Sequence, residues 1–286
     1  MLLRSAVGTL GLVVLVALIT VLLNDAGIIS LAYIESRLTY FIRPVEIGLG
    51  ATVVSFVIGF AVGIPMGVVR AFGPSLIRRR GRTAAIVMPL YGFVSGYVQA
   101  IRGTPVFVQI LLIVAVVERL VAPGTLGIEF WGGVVALSVN TIGYQAEVFR
   151  AGFQSVGQGQ VEAAKSIGMT PLQTFFHITL PQGLRLIILP LTNEWIALFK
   201  ASALLWYVAV QEIMWAGYHL EYIDARPIEA FLMVSFWYLI IMIPLSKAIT
   251  YIEKTKRIPG LGSAAEPARK RLFGGRTRSD AVDASR

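Results

Sequence analysis

The stretch IGLGATVVSFVIGFAVGIPMGVV, from Ile47 to Val69, contains no charged residue. It is long enough to cross a lipid bilayer as a helix, which takes about 20 apolar residues. Within it Gly59, Gly63 and Gly67 recur at every fourth position, a spacing of small residues that lets two helices approach closely. Pro65 predicts a kink near the end of this helix. We therefore expect a membrane-spanning helix, and we favour close packing within one subunit over a dedicated dimerisation motif.

The composition of the whole chain agrees with a membrane protein. Of its 286 residues, 56% are hydrophobic and 14% are charged, whereas a soluble domain has roughly 25% charged residues. The charge deficit is concentrated in uncharged runs, and a helix formed by such a run satisfies its own backbone hydrogen bonds in the bilayer. Besides the stretch above, the apolar runs are Ala6–Leu23, Ala84–Val117, Phe130–Ala146, Leu184–Val210 and Ile228–Tyr251.

Two of these runs, Ala6–Leu23 and Ala84–Val117, have unusual lengths. The first is longer than the apolar core of a signal peptide and is not followed by a clear cleavage site, so we interpret it as a retained span. The second is too long for one untilted span and is interrupted by Arg102-Gly103-Thr104-Pro105. Because proline disfavours helix at the preceding residue, we predict a helix, a break and a second helical piece that completes the crossing.

The distribution of positive charge predicts an orientation. If the N-terminus is cytoplasmic, most of the 25 Lys and Arg residues lie on the inside, as the positive-inside rule requires. The basic residues outside would then be Arg37, Arg43, Arg119 and Arg226. We therefore predict six transmembrane helices in the plasma or inner membrane, with both termini cytoplasmic. Membrane orientation and lipid contact then explain the net charge of +9 better than nucleic-acid binding does.

A polar stretch between the fourth and fifth apolar runs reads VEAAKSIGMTPLQTFFHITLPQG, residues 161–183. Residues 160–167 favour a short helix, which Gly168 can end in a left-handed conformation. Thr170-Pro171 can cap and begin the next helix, and Pro181 is predicted to stop or redirect the chain. The apolar side chains of this helix–turn–helix indicate a surface for a partner. The alternative is an amphipathic connector that packs on its own helix bundle.

This stretch resembles the cytoplasmic loop of ABC-importer permease subunits, in which EAA, three residues, Gly and nine residues precede Ile-x-Leu-Pro. The matching residues here are Glu162, Ala163, Ala164, Gly168, Ile178, Leu180 and Pro181. The resemblance implies a cytoplasmic coupling helix that inserts into a groove on the ATPase subunit. Glu162 would be a polar contact at that interface, Gly168 the turn, and the region of Phe175 and Phe176 the apolar plug.

Three further segments resemble the polar amino acid uptake subfamily of these permeases. They are RGTPVFVQ at 102–109, YQAEVFR at 144–150 and LPQGLR at 180–185. The resemblance covers about residues 47–251 and implies an all-α membrane protein with a five-helix permease core, to which Ala6–Leu23 adds an N-terminal helix. The chain departs from the subfamily at Gly157, where a proline is usual, and at Ala201, where an acidic residue is usual.

These patterns divide the chain into three parts. Residues 1–46 would hold the N-terminal helix and an external loop, and residues 47–251 the permease core with its coupling loop at about 150–183. Residues 252–286 are basic and poor in large apolar residues, so we expect a partly disordered cytoplasmic tail.

The resemblance also implies partners. A permease of this kind would work with two ABC ATPase subunits, a second permease that is identical or different, and an extracytoplasmic binding protein that delivers polar amino acids. The sequence has no P-loop, no Ser/His/Asp constellation and no metal-ligand spacing around His177 or His219. We therefore expect a transport subunit that is not an enzyme and has no metal or cofactor of its own, with ATP and magnesium bound by the ATPase partner. The alternatives are a permease for another small polar solute, or a stand-alone channel or secondary carrier.

Polar residues inside apolar runs are candidates for the solute pathway. They are Asn140, Thr141, Asn193, Glu194 and Lys200. Glu194 stands out because a carboxylate within a span is energetically costly and usually functional. It could receive the ammonium or guanidinium group of a solute. The alternative is a structural ion pair of Glu194 with Lys200 or with a neighbouring helix.

Overall fold

The computed structural model describes residues 18–78, 81–122 and 124–255, and every regular element among these residues is helical. In chain order the helices are α1 Leu31–Arg37, α2 Ile42–Arg78, α3 Arg82–Gly103, α4 Val106–Leu120, α5 Ile128–Gln154, α6 Gln158–Ser166, α7 Pro171–Thr174, α8 Leu180–Ala201, α9 Ile213–Asp224 and α10 Pro227–Thr255. A π-helical turn, Phe175–Thr179, joins α7 to α8, and a 3-10 helix, Ser202–Val208, follows α8. The predicted all-α fold is therefore confirmed.

Four helical stretches of the described chain are long and apolar enough to cross a membrane. They are Leu31–Arg78, Arg82–Gly103, Pro171–Val208 and Pro227–Ile249. Helix α5 contains the predicted run Phe130–Ala146 and has 27 residues, but it is not among these four stretches. The predicted first span, Ala6–Leu23, lies mostly outside the described residues, and so does the predicted tail after Thr255. The chain is thus a multi-pass membrane protein.

Helices α2 and α5 form the centre of the bundle, and glycines bring them together. A Cβ atom added at Gly63 would lie 3.1 Å from the Cβ of Gln145, and one added at Gly67 would lie 3.0 Å from the backbone oxygen of Ala146. A Cβ at Gly67 would also overlap the Cβ of Phe149, so a side chain there would force α2 and α5 apart. The glycine spacing therefore serves packing within the chain, as the sequence indicates, and α2 continues as a single helix through Pro65 and Pro74.

Substitution of Gly67 by valine is expected to destabilise the protein. The new side chain would press on the backbone of α5, because Arg150 N would lie 3.2 Å from the added Cβ, and overpacking of this kind costs about 1–3 kcal/mol. The melting temperature of the purified permease should fall by several degrees. Gly50→Val is the matched control in the same helix, since nothing lies within 4 Å of a Cβ added there. Equal melting temperatures for the two variants would contradict this packing.

The predicted helix, break and second helix are present at the junction of α3 and α4. Thr104 and Pro105 have extended backbone conformations, with ψ angles of 145° and 134°. The side-chain amide of Gln109 donates to the backbone oxygens of Ile101 and Thr104, at 2.7 and 3.0 Å. The polar backbone groups that the break leaves free therefore find a partner inside the chain, as a low-dielectric environment requires.

Helices α1 and α9 were not predicted from the sequence. Both are short, and both lie at the end of the bundle where α2 begins. The side chain of Glu212 caps α9 by accepting hydrogen bonds from the backbone nitrogens of Met214 and Trp215, both at 2.9 Å. Tyr33 of α1 donates a hydrogen bond of 2.7 Å to Asp224 at the end of α9. These contacts hold the two short helices together.

Candidate functional site

Helices α2, α5 and α8 meet at a buried polar contact. The hydroxyl of Thr141 in α5 donates to Oε1 of Glu194 in α8 at 3.1 Å. The side-chain amide of Gln145 donates to the Thr141 hydroxyl at 3.1 Å and to the backbone oxygen of Phe56 in α2 at 3.2 Å. The Oε1 atom of Gln145 is buried and has no hydrogen-bond partner in the part of the chain that the structure describes. The structure therefore brings together two of the predicted pathway residues, Thr141 and Glu194.

The other three predicted pathway residues lie elsewhere. Asn140 is buried, and its amide donates to Gln109 at 2.8 Å, so it supports the break between α3 and α4. Asn193 and Lys200 are exposed on α8. Within the described ranges no ion pair joins Lys200 to Glu194. The two are six positions apart in the helix, which places them on different faces of α8.

A charged cluster that the sequence did not predict surrounds Glu147 of α5. Its carboxylate forms ion pairs with Arg70 of α2 and with Arg150, and Arg102 of α3 lies 3.7 Å away. Nε of Arg150 donates to Glu147 Oε2 at 3.0 Å. The Cζ atom of Arg102 also lies 6.0 Å from the ring centre of Tyr144. Three guanidinium groups thus surround one carboxylate, so the cluster carries an excess of positive charge.

Two cavities lie beside this cluster. The first has a volume of about 400 Å³ and is lined by Arg70, Val98, Gln99, Arg102, Gly103 and Tyr144. The second has a volume of about 660 Å³, lies between α5, α6 and α8, and includes Glu147, Leu186 and Pro190 in its wall. Leu186, Pro190 and Glu194 follow each other at four-residue spacing on α8, so they share a face of that helix. The cavity wall therefore leads along α8 toward Glu194.

The polar loop between α5 and α8 forms the predicted helix–turn–helix. Helix α6 ends before Gly168, whose φ is +84°, in the left-handed region that glycine adopts readily. Thr170 caps α7 in a reciprocal arrangement: its hydroxyl accepts from Gln173 N at 3.3 Å, and its own backbone nitrogen donates to Gln173 Oε1 at 2.8 Å. Pro171 occupies the first turn of α7. These local predictions are confirmed.

The prediction that Pro181 stops or redirects the chain is wrong. The helix that begins at Pro171 continues through the π-helical turn into α8, and Pro181 lies in the first turn of α8. A proline in an uninterrupted helix would displace the carbonyl four residues before it. A π-helical turn immediately before the proline changes this spacing, so the helix continues.

The apolar residues of the loop fall into two groups. Phe175 faces inward, with its ring centre 5.8 Å from that of Phe72 and 5.7 Å from that of Phe153. Ile167, Leu172 and Phe176 are 79%, 67% and 55% exposed and form what we call the loop surface. The other predicted coupling residues differ in exposure: Glu162, Ala163, Gly168 and Pro181 are exposed, Ile178 and Leu180 are half-buried, and Ala164 is buried.

The fold and the site together define a class of protein. The chain is helical, crosses the membrane several times, and has polar groups between its helices and an apolar helix–turn–helix at one end, which are features of membrane transport components. The chain belongs to the family described as the binding-protein-dependent transport system inner membrane component, whose family model matches residues 63–258. It is a permease subunit of the ABC type, and ATP is hydrolysed by a separate subunit.

Curated relatives agree with this assignment. A probable glutamine ABC transporter permease of Bacillus subtilis strain 168 is 33% identical over 71% of this chain and 87% of its own length. An L-cystine transport system permease of the same strain is 37% identical over 59% of this chain and 71% of its own length. A glutamine transport system permease of Escherichia coli K12 is 28% identical over 76% and 93% of the two chains.

Solved structures share the fold. A crystal structure of an amino acid ABC transporter with histidines superposes with a TM-score of 0.68 at 26% identity, covering 79% of this chain and 99% of that chain. An inward-facing structure of the MetNI methionine ABC transporter superposes with a TM-score of 0.58 at 22% identity, covering 74% and 95%. The second likeness concerns the fold alone.

Proposed function

We propose that this chain is the permease subunit of an ATP-driven importer that carries polar amino acids delivered by an extracytoplasmic binding protein. The observation that carries this proposal is the family match over residues 63–258. Relatives named for glutamine and cystine transport support amino acids as the solute class. Another small polar solute is the alternative within the same family.

We also propose the finer topology of six spans with both termini in the cytoplasm. Its five-helix core, residues 47–251, would be preceded by the N-terminal helix in residues 1–46 and followed by the tail 252–286. The positive-inside rule supports this orientation, because the basic residues Arg78 and Arg82 lie at the same end of the bundle as helices α6 and α7. The opposite end would face the binding protein.

The coupling of transport to ATP hydrolysis is assigned to the loop at 150–183. The loop surface and Glu162 are proposed to contact an ATPase subunit that binds ATP and magnesium. Three large apolar side chains exposed next to a charged residue are typical of a surface that a partner covers. Phe175 is proposed to anchor the loop to the bundle through Phe72 and Phe153 rather than to enter the ATPase groove.

The passage for the solute is proposed to run beside Glu194 and Thr141. Glu194 would receive the cationic group of an amino acid. Asn193 and Lys200 would line the passage on α8. Asn140 would support the passage indirectly, by holding Gln109 at the break between α3 and α4. The two cavities beside Glu147 open at the surface of this single chain, which supports a second permease, identical or different, as the partner that completes the passage. Two ATPase subunits would then serve the pair.

Reconstitution tests this function. The permease, its ATPase and its binding protein, taken from neighbouring genes, are placed in proteoliposomes, and uptake of radiolabelled amino acids is measured. We expect uptake that requires ATP and the binding protein, and no ATP hydrolysis by the purified permease alone. Solute flux through the permease alone, without ATP, would instead indicate a channel or carrier. ATP-driven uptake restricted to solutes other than amino acids would favour the alternative solute class.

A further inference from the structure

The guanidinium groups around Glu147 have more hydrogen-bond donors than the cluster has acceptors. Arg102 lies 3.7 Å from the Glu147 carboxylate, which is too far for a hydrogen bond. Nε of Arg70 is buried and has no hydrogen-bond partner within the described segments. Buried N–H donors normally have a hydrogen-bond acceptor. A guanidinium N–H without one, beside a cavity, therefore indicates that the cavity can bind a ligand with acceptor oxygens.

The cavity of about 400 Å³ joins these two arginines. The Arg102 side chain is 47% exposed and that of Arg70 is 14% exposed, so the cavity wall has one accessible guanidinium and one that is largely covered, with its Nε atom buried. A guanidinium offers a planar fork of donors that matches the two oxygens of a carboxylate. Gln99 and Tyr144 add polar and aromatic groups to the same wall.

The position of this cavity connects it to the proposed passage. Tyr144 and Glu147 lie on α5 one to two turns after Thr141, which contacts Glu194. Glu147 also lies in the wall of the second cavity, together with Pro190, which is one turn before Glu194 on α8. A solute that leaves Glu194 toward the α6–α7 end of the bundle therefore passes next to the arginine cluster.

We propose that Arg102 and Arg70 bind the α-carboxylate of the amino acid as it moves from Glu194 toward the α6–α7 end of the bundle. This inference rests on the proposed function. Glu194 takes the positive group of the solute and the arginine pair takes its negative group. Since every α-amino acid has this carboxylate, the site acts on the whole class and does not select among side chains.

Glu147 limits how tightly this site can bind the solute carboxylate. Its carboxylate competes with the solute carboxylate for the same guanidinium groups, because it already pairs with Arg70 and Arg150. A fixed internal competitor keeps binding at the site weak, which a transport pathway needs, since a solute bound too tightly would not leave.

The test is equilibrium binding to the permease–ATPase complex in lipid nanodiscs, without nucleotide or binding protein. The probes are radiolabelled L-arginine, L-glutamine, L-histidine and L-cystine, together with agmatine and histamine, the amines that L-arginine and L-histidine become without their carboxylate. Arg102→Gln should weaken binding of the amino acids by about ten- to hundredfold, the usual range for a hydrogen bond to a charged group. Binding of the two amines should not weaken.

Arg102→Lys keeps the charge but loses the planar fork, so it should restore part of the affinity. Arg119→Gln is the matched control, because Arg119 is an exposed arginine at the far end of α4. Unchanged amino acid binding by Arg102→Gln would overturn the proposal. If that variant instead lost co-purified phosphatidylglycerol, the acceptor would be a lipid phosphate. Absence of ATP-driven uptake of all these amino acids by the unmodified importer with its binding protein would count against the proposed function itself.

Discussion

Leu172→Asp is expected to abolish ATP-driven uptake by separating the permease from its ATPase. Leu172 belongs to the loop surface, is 67% exposed, and is in none of the hydrophobic core clusters that the described residues form. It lies in the first turn of α7, where an acidic side chain is favourable because of the helix dipole, so the local fold should not suffer. A charge in place of an apolar anchor at an interface costs about 2–4 kcal/mol, or roughly 30- to 1,000-fold in affinity.

Co-purification of the ATPase subunit with the tagged permease measures this loss directly, and uptake in proteoliposomes measures its consequence. Leu126→Asp provides a matched control, because Leu126 is 96% exposed just before α5, at the opposite end of that helix from the loop. We expect the control to retain its ATPase and its uptake. Full assembly and uptake with Leu172→Asp would show that the loop surface is not the contact.

Local chemistry explains which parts of this loop were predictable. Gly168 and Thr170-Pro171 specify their own backbone conformations, so the end of α6 and the start of α7 followed from the sequence. The break at Pro105 is local in the same way. The glycine spacing in α2 predicted a close helix contact, although only the structure shows that the partner is α5.

Features that depend on contacts between distant residues were not predictable. Phe175 and Phe176 are neighbours in sequence, but Phe175 packs against Phe72 while Phe176 stays exposed, and the sequence does not show which of the two faces the bundle. Helix α1, with seven residues, is too short for a periodic signal. Contacts between distant residues, such as that of Tyr33 with Asp224, hold α1 and α9 in place.

The cluster around Glu147 combines residues from α2, α3 and α5. The one signal for it in the sequence is Arg102, a charged residue beside a break in an apolar run. Its partners Arg70 and Glu147 are separated from it by tens of residues, and a single sequence does not show which distant charges come together.

Glu194→Gln is expected to weaken the interaction with the solute by about ten- to hundredfold and to change the preference for cationic amino acids. Glu194 is half-buried. Within the described part of the chain its Oε1 atom accepts a hydrogen bond from Thr141, so the other carboxylate oxygen can accept one from a solute. A charge-assisted hydrogen bond contributes about 1.5–3 kcal/mol, and glutamine keeps the shape while it removes the charge. The KM of uptake for L-arginine and L-glutamine measures the effect.

Two control variants distinguish a role of Glu194 in solute binding from a role in the structure. Thr141→Val removes the hydrogen bond to Glu194 but keeps the carboxylate that is proposed to bind the solute, so it should change the KM much less than Glu194→Gln does. Glu118→Gln makes the same chemical change at an exposed position on α4 and should leave the KM unchanged. If Glu194→Gln transported both amino acids with the affinity and preference of the unmodified protein, Glu194 would be a structural residue. The passage would then have to be sought along α5, next to Tyr144.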